Sequence, residues 1–147
     1  MEFKNEIGLI QRKMAASIAG ISRRLEILNA LDIESGQHVL DIGCGGGHLL
    51  EEIAKAVGPE GKAYGLDTSE DQLKQARKRC SLYKNVFTIK GYANQISLEN
   101  NSCDSICSVQ TFEYIENVDE SIKELTRILK PSSIFVNISI LWEYYKF

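Results

Sequence analysis

The sequence predicts a single α/β domain built on a doubly wound parallel sheet with helices on both faces. Short apolar segments that suit strands alternate with amphipathic segments that suit helices, and this alternation favours right-handed crossovers between parallel strands. A glycine-rich loop joins the first strand directly to a helix. The chain has 147 residues, of which 44% are hydrophobic, enough for one core. We therefore predict one domain over residues 1–147, with a helical segment at 1–35 and the sheet core at 36–141.

The first element is helical and occupies about the first thirty residues. Its apolar residues recur at three- and four-residue steps and predict one buried face: Ile18, Ile21, Leu25 and Leu28. Gly36 interrupts this pattern, and a short buried strand is predicted at His38–Ile42. The helix after it presents a second apolar face: Leu49, Leu50, Ile53, Ala54 and Val57. This helix ends at residues 58–61, because proline cannot continue a helix and glycine favours the turn.

The remaining elements continue the alternation. Strands are predicted at Ala63–Leu66, Val86–Ile89, Asp104–Val109 and Ile134–Leu141. Ser69 is a suitable N-cap for the third helix, with Gln72 at the capping-box position. That helix should bury Leu73, Ala76 and Cys80. The last helix is predicted at Asp119–Leu129, before Pro131, with an apolar stripe of Ile122, Leu125 and Leu129.

The glycine-rich loop at Gly43–Gly47 is the first candidate for a ligand site. Glycines let the backbone approach a ligand closely, and ligands of open parallel sheets bind at the carboxyl ends of the strands. The loop therefore predicts a nucleotide-like cofactor. The dinucleotide spacing GxGxxG fails, because its last position falls on His48 or Leu50, and no Gly-Lys-Ser/Thr follows to make a phosphate-binding P-loop.

Two aspartates at strand ends add to this prediction. Asp41 ends the first strand, where a carboxylate would repel a pyrophosphate but can orient an ammonium group. Asp67 ends the second strand, where a carboxylate can accept both hydroxyls of a ribose. Dinucleotide-binding folds use an acid in the same way, so Asp67 alone does not choose between cofactors. Asp67 could instead only cap the helix that starts near Ser69.

Several segments in order resemble class I S-adenosylmethionine-dependent methyltransferases, specifically the ubiquinone/menaquinone-biosynthesis-like, small-molecule branch. The resemblance covers about residues 36–140 and is carried by Val39–Leu50, Gly65–Ser69, Gly91–Ala93, Cys103–Ile106 with Glu113–Ile115, and Leu125–Pro131. It implies a Rossmann-like sheet of order 3-2-1-4-5. Members of this fold usually have seven strands, so this chain would lack the last two and resembles a form truncated after the fifth strand.

The resemblance also implies a role for individual residues toward S-adenosylmethionine, whose product is S-adenosylhomocysteine. Asp41, Gly43 and Gly45 would hold the methionine moiety, with Cys44 contributing backbone. Asp67 would bind the ribose, Thr68 and Ala93 would contact the adenine, and Ser108 would face the amino-acid end. The complete expected set is Asp41, Gly43, Cys44, Gly45, Asp67, Thr68, Gln72, Tyr92, Ala93 and Ser108. No catalytic residue is assigned, since His48, Glu113 and Tyr114 have surface or packing roles as their default interpretation.

Three departures from the family pattern stand out. Tyr92 replaces an acid that would accept from the adenine amino group. Ser132 and Ser133 replace the usual glycines after Pro131, which should affect only a turn. The fifth strand would be an exposed apolar edge, which a truncated or spliced form, pairing with another chain, or folding back of the last residues would each explain. Pairing with a second copy predicts a homodimer.

The function predicted is methyl transfer from S-adenosylmethionine to a small-molecule acceptor. The alternative is a cofactor-binding or protein-interaction domain that has lost transfer activity; a nucleotide-binding oxidoreductase is disfavoured by the glycine spacing. A net charge of −3 gives no reason to expect nucleic acid as partner. The sequence shows neither a secretory signal pattern nor a bilayer-spanning segment, so no membrane association and a cytoplasmic location are expected. Four cysteines without ligand spacing are predicted to be buried thiols, and no metal site is expected.

Overall fold

Five parallel strands form one sheet in the order β3-β2-β1-β4-β5 in the computed structural model, which describes residues 5–139. The strands are β1 (His38–Ile42), β2 (Lys62–Asp67), β3 (Val86–Lys90), β4 (Cys103–Val109) and β5 (Leu129–Ile138). The helices are α1 (Asn5–Ala15), α2 (Ile18–Leu31), α3 (His48–Val57), α4 (Glu70–Arg79) and α5 (Val118–Ile128), with a 3₁₀ turn at Phe112–Tyr114. The predicted α/β class, strand order and parallel pairing are confirmed.

The central strand β1 positions the glycine loop. It pairs with β2 on one side and β4 on the other, with Asp41 level with Gly65 and Cys107. One face of the sheet is covered by α2, α3 and α4, whose core residues include Ile27, Ile53 and Leu73. The other face is covered by α5 and by the segment after β3. All predicted core residues of α3 and α4 are buried.

The N-terminal helical segment differs from its prediction. It forms two helices, because Ser17 caps α2 by accepting a hydrogen bond from the Gly20 N–H. The predicted apolar face is wrong at three of its four residues: Ile18 is 87% exposed, and Ile21 and Leu25 are also exposed, whereas Leu28 packs against the core. Instead α2 buries Gly20, Ile27 and Leu31. A Cβ at Gly20 would lie 2.4 Å from the Ala15 carbonyl oxygen, so this residue sets the close approach of α1 and thereby the rotation of α2.

The junction of α5 and β5 also departs from prediction. The helix ends at Ile128 and buries Ser121, Leu125 and Ile128, whereas Ile122 is exposed, and Leu129 already belongs to β5. Residues 140 and 141, assigned to the fifth strand from sequence, lie outside the described residues. Within β5 the pairing register jumps, since Cys103 aligns with Leu129 but Ser105 aligns with Ile134. Ser132, where the family has glycine, takes φ +63° in this bulge.

All four cysteines are free and buried, which confirms their prediction as core thiols. Cys103 and Cys107 belong to core clusters on opposite faces of the sheet. Between residues 5 and 139, no helix has the length and apolar character that crossing a membrane requires.

Candidate functional site

The glycine loop folds back onto the end of β2. The N–H groups of Gly43 and Cys44 both donate to the Leu66 carbonyl oxygen, at 2.7 and 2.9 Å. Gly43 and Gly47 have φ of +71° and +86°, a region that residues with a Cβ rarely adopt. A Cβ at Gly43 would lie 2.1 Å from Thr111 Oγ1, and one at Gly47 would lie 2.8 Å from Ala76 Cα. Glycine is therefore required at both positions by conformation and by space.

Asp67 fastens this loop to the start of α4. One of its carboxylate oxygens accepts from the Gly45 N–H at 2.9 Å, and the other accepts from the Ser69 N–H at 2.9 Å. Burial raises the pKa of Asp67, and these backbone hydrogen bonds act in the opposite direction. Asp67 thus does cap the turn before α4, and it also lies at the wall of both cavities described below.

Asp41 is a buried carboxyl group without a cationic partner among residues 6–139. It is 3% exposed, and the Cys107 thiol donates to its Oδ1 at 3.7 Å. Burial raises the pKa of Asp41 to about 8; the thiol hydrogen bond lowers it and the charge of Asp67 raises it further. A cation beside Asp41 would favour the ionised form of this carboxyl group and so lower its pKa.

Two cavities lie along the carboxyl ends of the strands and meet over the loop. The first has a volume of about 310 Å³ and contains Asp41, Gly45 and Gln72 in its wall. The second has a volume of about 740 Å³ and lies between the segment after β3 and the start of α5. Residues common to both walls are Gly43, Asp67, Thr111 and Tyr114. Together the cavities form one elongated cleft, with Asp67 at its middle.

The structure brings most of the predicted cofactor-binding residues to this cleft. Asp41, Gly43, Cys44, Gly45, Asp67 and Gln72 line the first cavity. Gly43, Asp67, Thr68, Tyr92 and Ala93 line the second. Ser108 is the exception: it is fully buried within the sheet, level with Ile42 and Asn137, and lines neither cavity. β4 continues by one residue beyond Ser108 before the chain turns, and Val109, Gln110 and Thr111 line the first cavity there, so a role of Ser108 toward the cofactor stays a prediction.

Other polar residues considered from sequence are also placed. Ser69 caps α4 as predicted, but the Gln72 side chain does not complete a capping box, since its amide bonds to α1 instead. His48 lines the first cavity, where burial and the nearby arginines Arg79 and Arg24 lower its pKa to about 4. Tyr114 lies where both cavities meet, whereas Glu113 lines neither.

The helical cover, α1 and α2, contributes residues that the sequence did not indicate. Arg12 Nη1 donates to Asp71 Oδ2 at 3.1 Å and to Gln72 Oε1 at 3.0 Å. The Gln72 amide donates to Gln11 Oε1 at 3.2 Å. These contacts hold α1 over Gly46, whose missing Cβ would lie 2.9 Å from the Arg12 side chain. α1 and the first part of α2 therefore form the outer wall of the first cavity.

The sequence profile of a methyltransferase domain family matches residues 33–143. A demethylmenaquinone methyltransferase from Geobacillus stearothermophilus is 33% identical over 115 residues, which cover 77% of this chain and 49% of that protein. The chain spans about a third to a half of the length of the curated relatives it matches first.

Solved structures show the same relationship. A SAM-dependent methyltransferase from Aquifex aeolicus is 30% identical with a TM-score of 0.71, covering 77% of this chain and 62% of that one. An S-adenosyl-L-methionine-dependent methyltransferase from Methanococcus maripaludis has a TM-score of 0.78 over 89% of this chain and 62% of that one; at 24% identity it shows the fold. The profile match over most of the chain, the strand order and the glycine loop agree. The chain belongs to the class I S-adenosylmethionine-dependent methyltransferases.

Proposed function

We propose that this domain transfers a methyl group from S-adenosylmethionine to a small-molecule acceptor. The observation that carries the proposal is the elongated cleft, which places a buried, unpaired carboxyl group at one end and Asp67 at its middle. An amino acid joined to a nucleoside has an ammonium at one end and ribose hydroxyls at its middle. The donor set and the space over the glycine loop fit that ligand.

Each part of the cofactor then has a candidate partner. Asp41 would accept from the ammonium group, while Gly43 and Gly45 leave room for the methionine chain above the backbone. Asp67 would exchange part of its hydrogen bonding for the ribose hydroxyls. The adenine would occupy the second cavity, which Thr68, Tyr92 and Ala93 line. Tyr92 is 62% exposed, so it can shield one side of a base without being buried itself.

S-adenosylmethionine supplies an activated methyl group on a sulfonium, which an acceptor displaces in line. This chain contributes position: Thr111 and Tyr114 border the place where the two cavities meet, and residues of α1 line the first cavity. Holding two reactants in line can lower a barrier by about 7–11 kcal/mol. The imidazole of His48 is neutral at pH 7, since its pKa is about 4.

The nature of the acceptor rests on the relatives. Demethylmenaquinone methyltransferases recur among them, which supports a small organic acceptor. A quinol of that kind is the first acceptor to try. A cytoplasmic location stays a prediction of the sequence analysis.

Cofactor binding is tested by calorimetric titration with S-adenosylmethionine and S-adenosylhomocysteine. Micromolar binding by the native chain, lost in Asp67→Ala and Gly43→Val, would support the proposal. Asp119→Asn, an exposed carboxylate at the start of α5, is the matched control and should bind as the native chain does. A folded chain that binds neither ligand contradicts the proposal.

Transfer itself is tested with methyl-labelled S-adenosylmethionine and demethylmenaquinone, followed by extraction of the organic phase. Label that appears there only with the native chain supports an enzyme acting on small molecules. Tight cofactor binding without transfer to demethylmenaquinone or other small phenols would favour the alternative, a cofactor-binding or protein-interaction domain without transfer activity.

The edge of β5 is the region for which a homodimer was predicted. Among residues 5–139, β5 pairs with β4 alone, and Ile134 on it is 44% exposed. Dimerisation stays a prediction. Sedimentation at micromolar concentration should show a dimer, and a stable monomer would contradict it; Ile134→Lys should then shift the dimer toward monomer.

A further inference from the structure

Cys107 of β4 contacts the buried carboxyl group at the Asp41 end of the cleft. The two residues are level with each other on the neighbouring strands β4 and β1. The Cys107 thiol donates to Asp41 Oδ1 at 3.7 Å. Cys107 is fully buried and lines neither of the two cavities, whereas Asp41 lines the first. A ligand in the first cavity therefore senses Cys107 only through Asp41.

The two carboxylate oxygens of Asp41 have different surroundings. Oδ1 accepts the hydrogen bond from the thiol, and Oδ2 accepts none from residues 5–139. Cations line the same cavity on α1 and α2, but none of them forms an ion pair with Asp41 in the described part of the chain: Arg12, Arg23 and Arg24. Oδ2 is therefore the oxygen that remains for a ligand.

Two further titratable groups face Asp41. The charge of Asp67 raises the pKa of Asp41, whereas the hydrogen bond from Cys107 lowers it. The Cys44 thiol donates to the Gly45 carbonyl oxygen at 3.8 Å and so does not compete with Cys107. Burial and the charge of Asp41 raise the pKa of Cys107 well above its usual range, so this thiol keeps its proton and remains a donor at neutral pH.

We propose that Cys107 is a positioning residue, whose thiol fixes the Asp41 carboxyl group with Oδ2 turned toward the first cavity for the ammonium group of the cofactor. The inference rests on the proposed function and adds a residue that the ligand does not touch. A thiol suits this place because it packs as a small apolar group among core residues such as Val39 and Leu49, yet donates one hydrogen bond. That bond also stabilises the ionised carboxylate, the form that attracts a cation.

The variants separate the hydrogen bond from the packing. Cys107→Ala removes the donor, and Cys107→Ser keeps a donor on a side chain of nearly the same size as alanine. Cys103→Ala is the matched control, since Cys103 is a fully buried thiol of the same strand in the core of the opposite face, close to Ser102. Far-ultraviolet circular dichroism and thermal melting establish that each variant is folded. Cys107→Val removes the donor without leaving a cavity, and it replaces Cys107→Ala if that variant does not fold.

The binding test compares S-adenosylhomocysteine with 5′-deoxy-5′-methylthioadenosine, which has the nucleoside and the sulfur but no ammonium. We expect Cys107→Ala to weaken S-adenosylhomocysteine binding about 5- to 20-fold at pH 7, while binding of the second ligand changes less than about 2-fold. Cys107→Ser should recover most of the native affinity, and Cys103→Ala should bind both ligands as the native chain does. Equal weakening of both ligands by Cys107→Ala, or no weakening of either, overturns the proposal.

The protonation of Asp41 gives a second readout, which needs no ligand. Its carboxyl ¹³C resonance, identified by its loss in Asp41→Asn, should titrate in the native chain near its pKa of about 8. Cys107→Ala should raise this midpoint by about 0.5–1 pH unit, because the bond that favours the ionised form is lost. Cys107→Ser should leave the midpoint at or below the native value, and Cys103→Ala should not move it. A midpoint that Cys107→Ala leaves unchanged, or that Cys107→Ser raises equally, overturns the positioning role.

Failure of the proposed function gives a different result. A folded native chain that binds neither adenosine ligand contradicts cofactor binding. The carboxyl titration then decides the role of Cys107 alone. A midpoint raised in Cys107→Ala supports control of Asp41 by the thiol, and an unchanged midpoint overturns it.

Discussion

Two regions line the first cavity: the glycine-loop region (residues 41–47 with Asp67) and the helical cover. They are held in place by different kinds of contact. The loop is held by its own backbone: positive φ at its glycines, two N–H groups on the Leu66 carbonyl, and Asp67 on the Gly45 N–H. The cover is held by side chains far apart in sequence, such as Arg12 with Asp71. The two regions also differ in burial. The outer surface of the helical cover has exposed apolar residues, whereas Asp41, beneath the glycine loop, is almost fully buried.

The glycine-loop region and the helical cover should therefore differ in how easily they unfold. Backbone hydrogen bonds buried in the sheet resist local opening, while partly exposed side-chain contacts break at low cost. The glycine-loop region should therefore unfold only when the whole domain unfolds. The cover should loosen alone, which would admit ligands to the first cavity while the rest of the domain stays folded.

The largest expected effect comes from adding one methyl group to the loop. Gly47→Ala forces a Cβ to within 2.9 Å of Ala76 and strains a residue with φ +86°, so the free energy of unfolding should fall by roughly 3–5 kcal/mol. Gly36→Ala is the matched control, because φ is +89° there but nothing lies within 4 Å. It should cost only about 1 kcal/mol. Equal losses in urea unfolding would show that space around the loop is unimportant.

Next in size is the effect of the carboxyl group of Asp41, which is buried beneath the loop. In the native chain Asp41 keeps its proton up to a pKa of about 8, whereas an unfolded chain releases it near 3.9. Between these values the native state binds more protons, so stability falls as pH rises, by up to about 1.4 kcal/mol per pH unit from this group. Asp41→Asn should remove that slope between pH 5 and pH 7. Urea unfolding at three pH values measures it.

Ligand binding provides a second test of the raised pKa of Asp41. Asp67 also has a raised pKa and leaves a residual slope of the same sign in Asp41→Asn. An ammonium beside Asp41 should lower its pKa, so saturating S-adenosylhomocysteine should flatten the native slope and have little effect on the variant. A native chain whose stability is flat between pH 5 and pH 7 without ligand would contradict an elevated pKa for Asp41.

The ion pair between Arg12 and Asp71, which holds α1 against α4, should contribute less to the free energy of unfolding. The Arg12 and Asp71 side chains are 17% and 31% exposed, so Arg12→Gln should cost only about 0.5–1 kcal/mol of global stability. Amide hydrogen exchange should nevertheless accelerate across α1 and not in β1. Arg77→Gln breaks an exposed ion pair with Glu70 on α4 and is the control, which should leave exchange in α1 unchanged. Faster exchange throughout the sheet would mean that the cover and the loop region unfold together.

The same contrast explains what could be predicted from sequence. The loop and the N-cap at Ser69 depend on local backbone chemistry, so their residue types and spacing were sufficient. The rotation of α2 depends on where Gly20 meets α1, and no local pattern records that contact. The buried face of α2 was therefore misplaced, although the segment was correctly predicted as helical. The burial of Ser108 was not predicted for a similar reason, since the point where β4 ends and the turn begins is set by pairing with β1 and β5.

The smallest expected effect tests whether the exposed stripe of α2 contributes anything to the fold. Ile18 is 87% exposed and Ile27, on the same helix, is fully buried, so replacing each by valine removes one methylene from opposite environments. Ile27→Val should cost about 0.5–1.5 kcal/mol, and Ile18→Val less than about 0.3 kcal/mol. Urea unfolding resolves this difference. A measurable loss of stability in Ile18→Val would mean that the exposed apolar residues of α2 are covered in solution. The helical cover would then be held by more than the ion pair of Arg12.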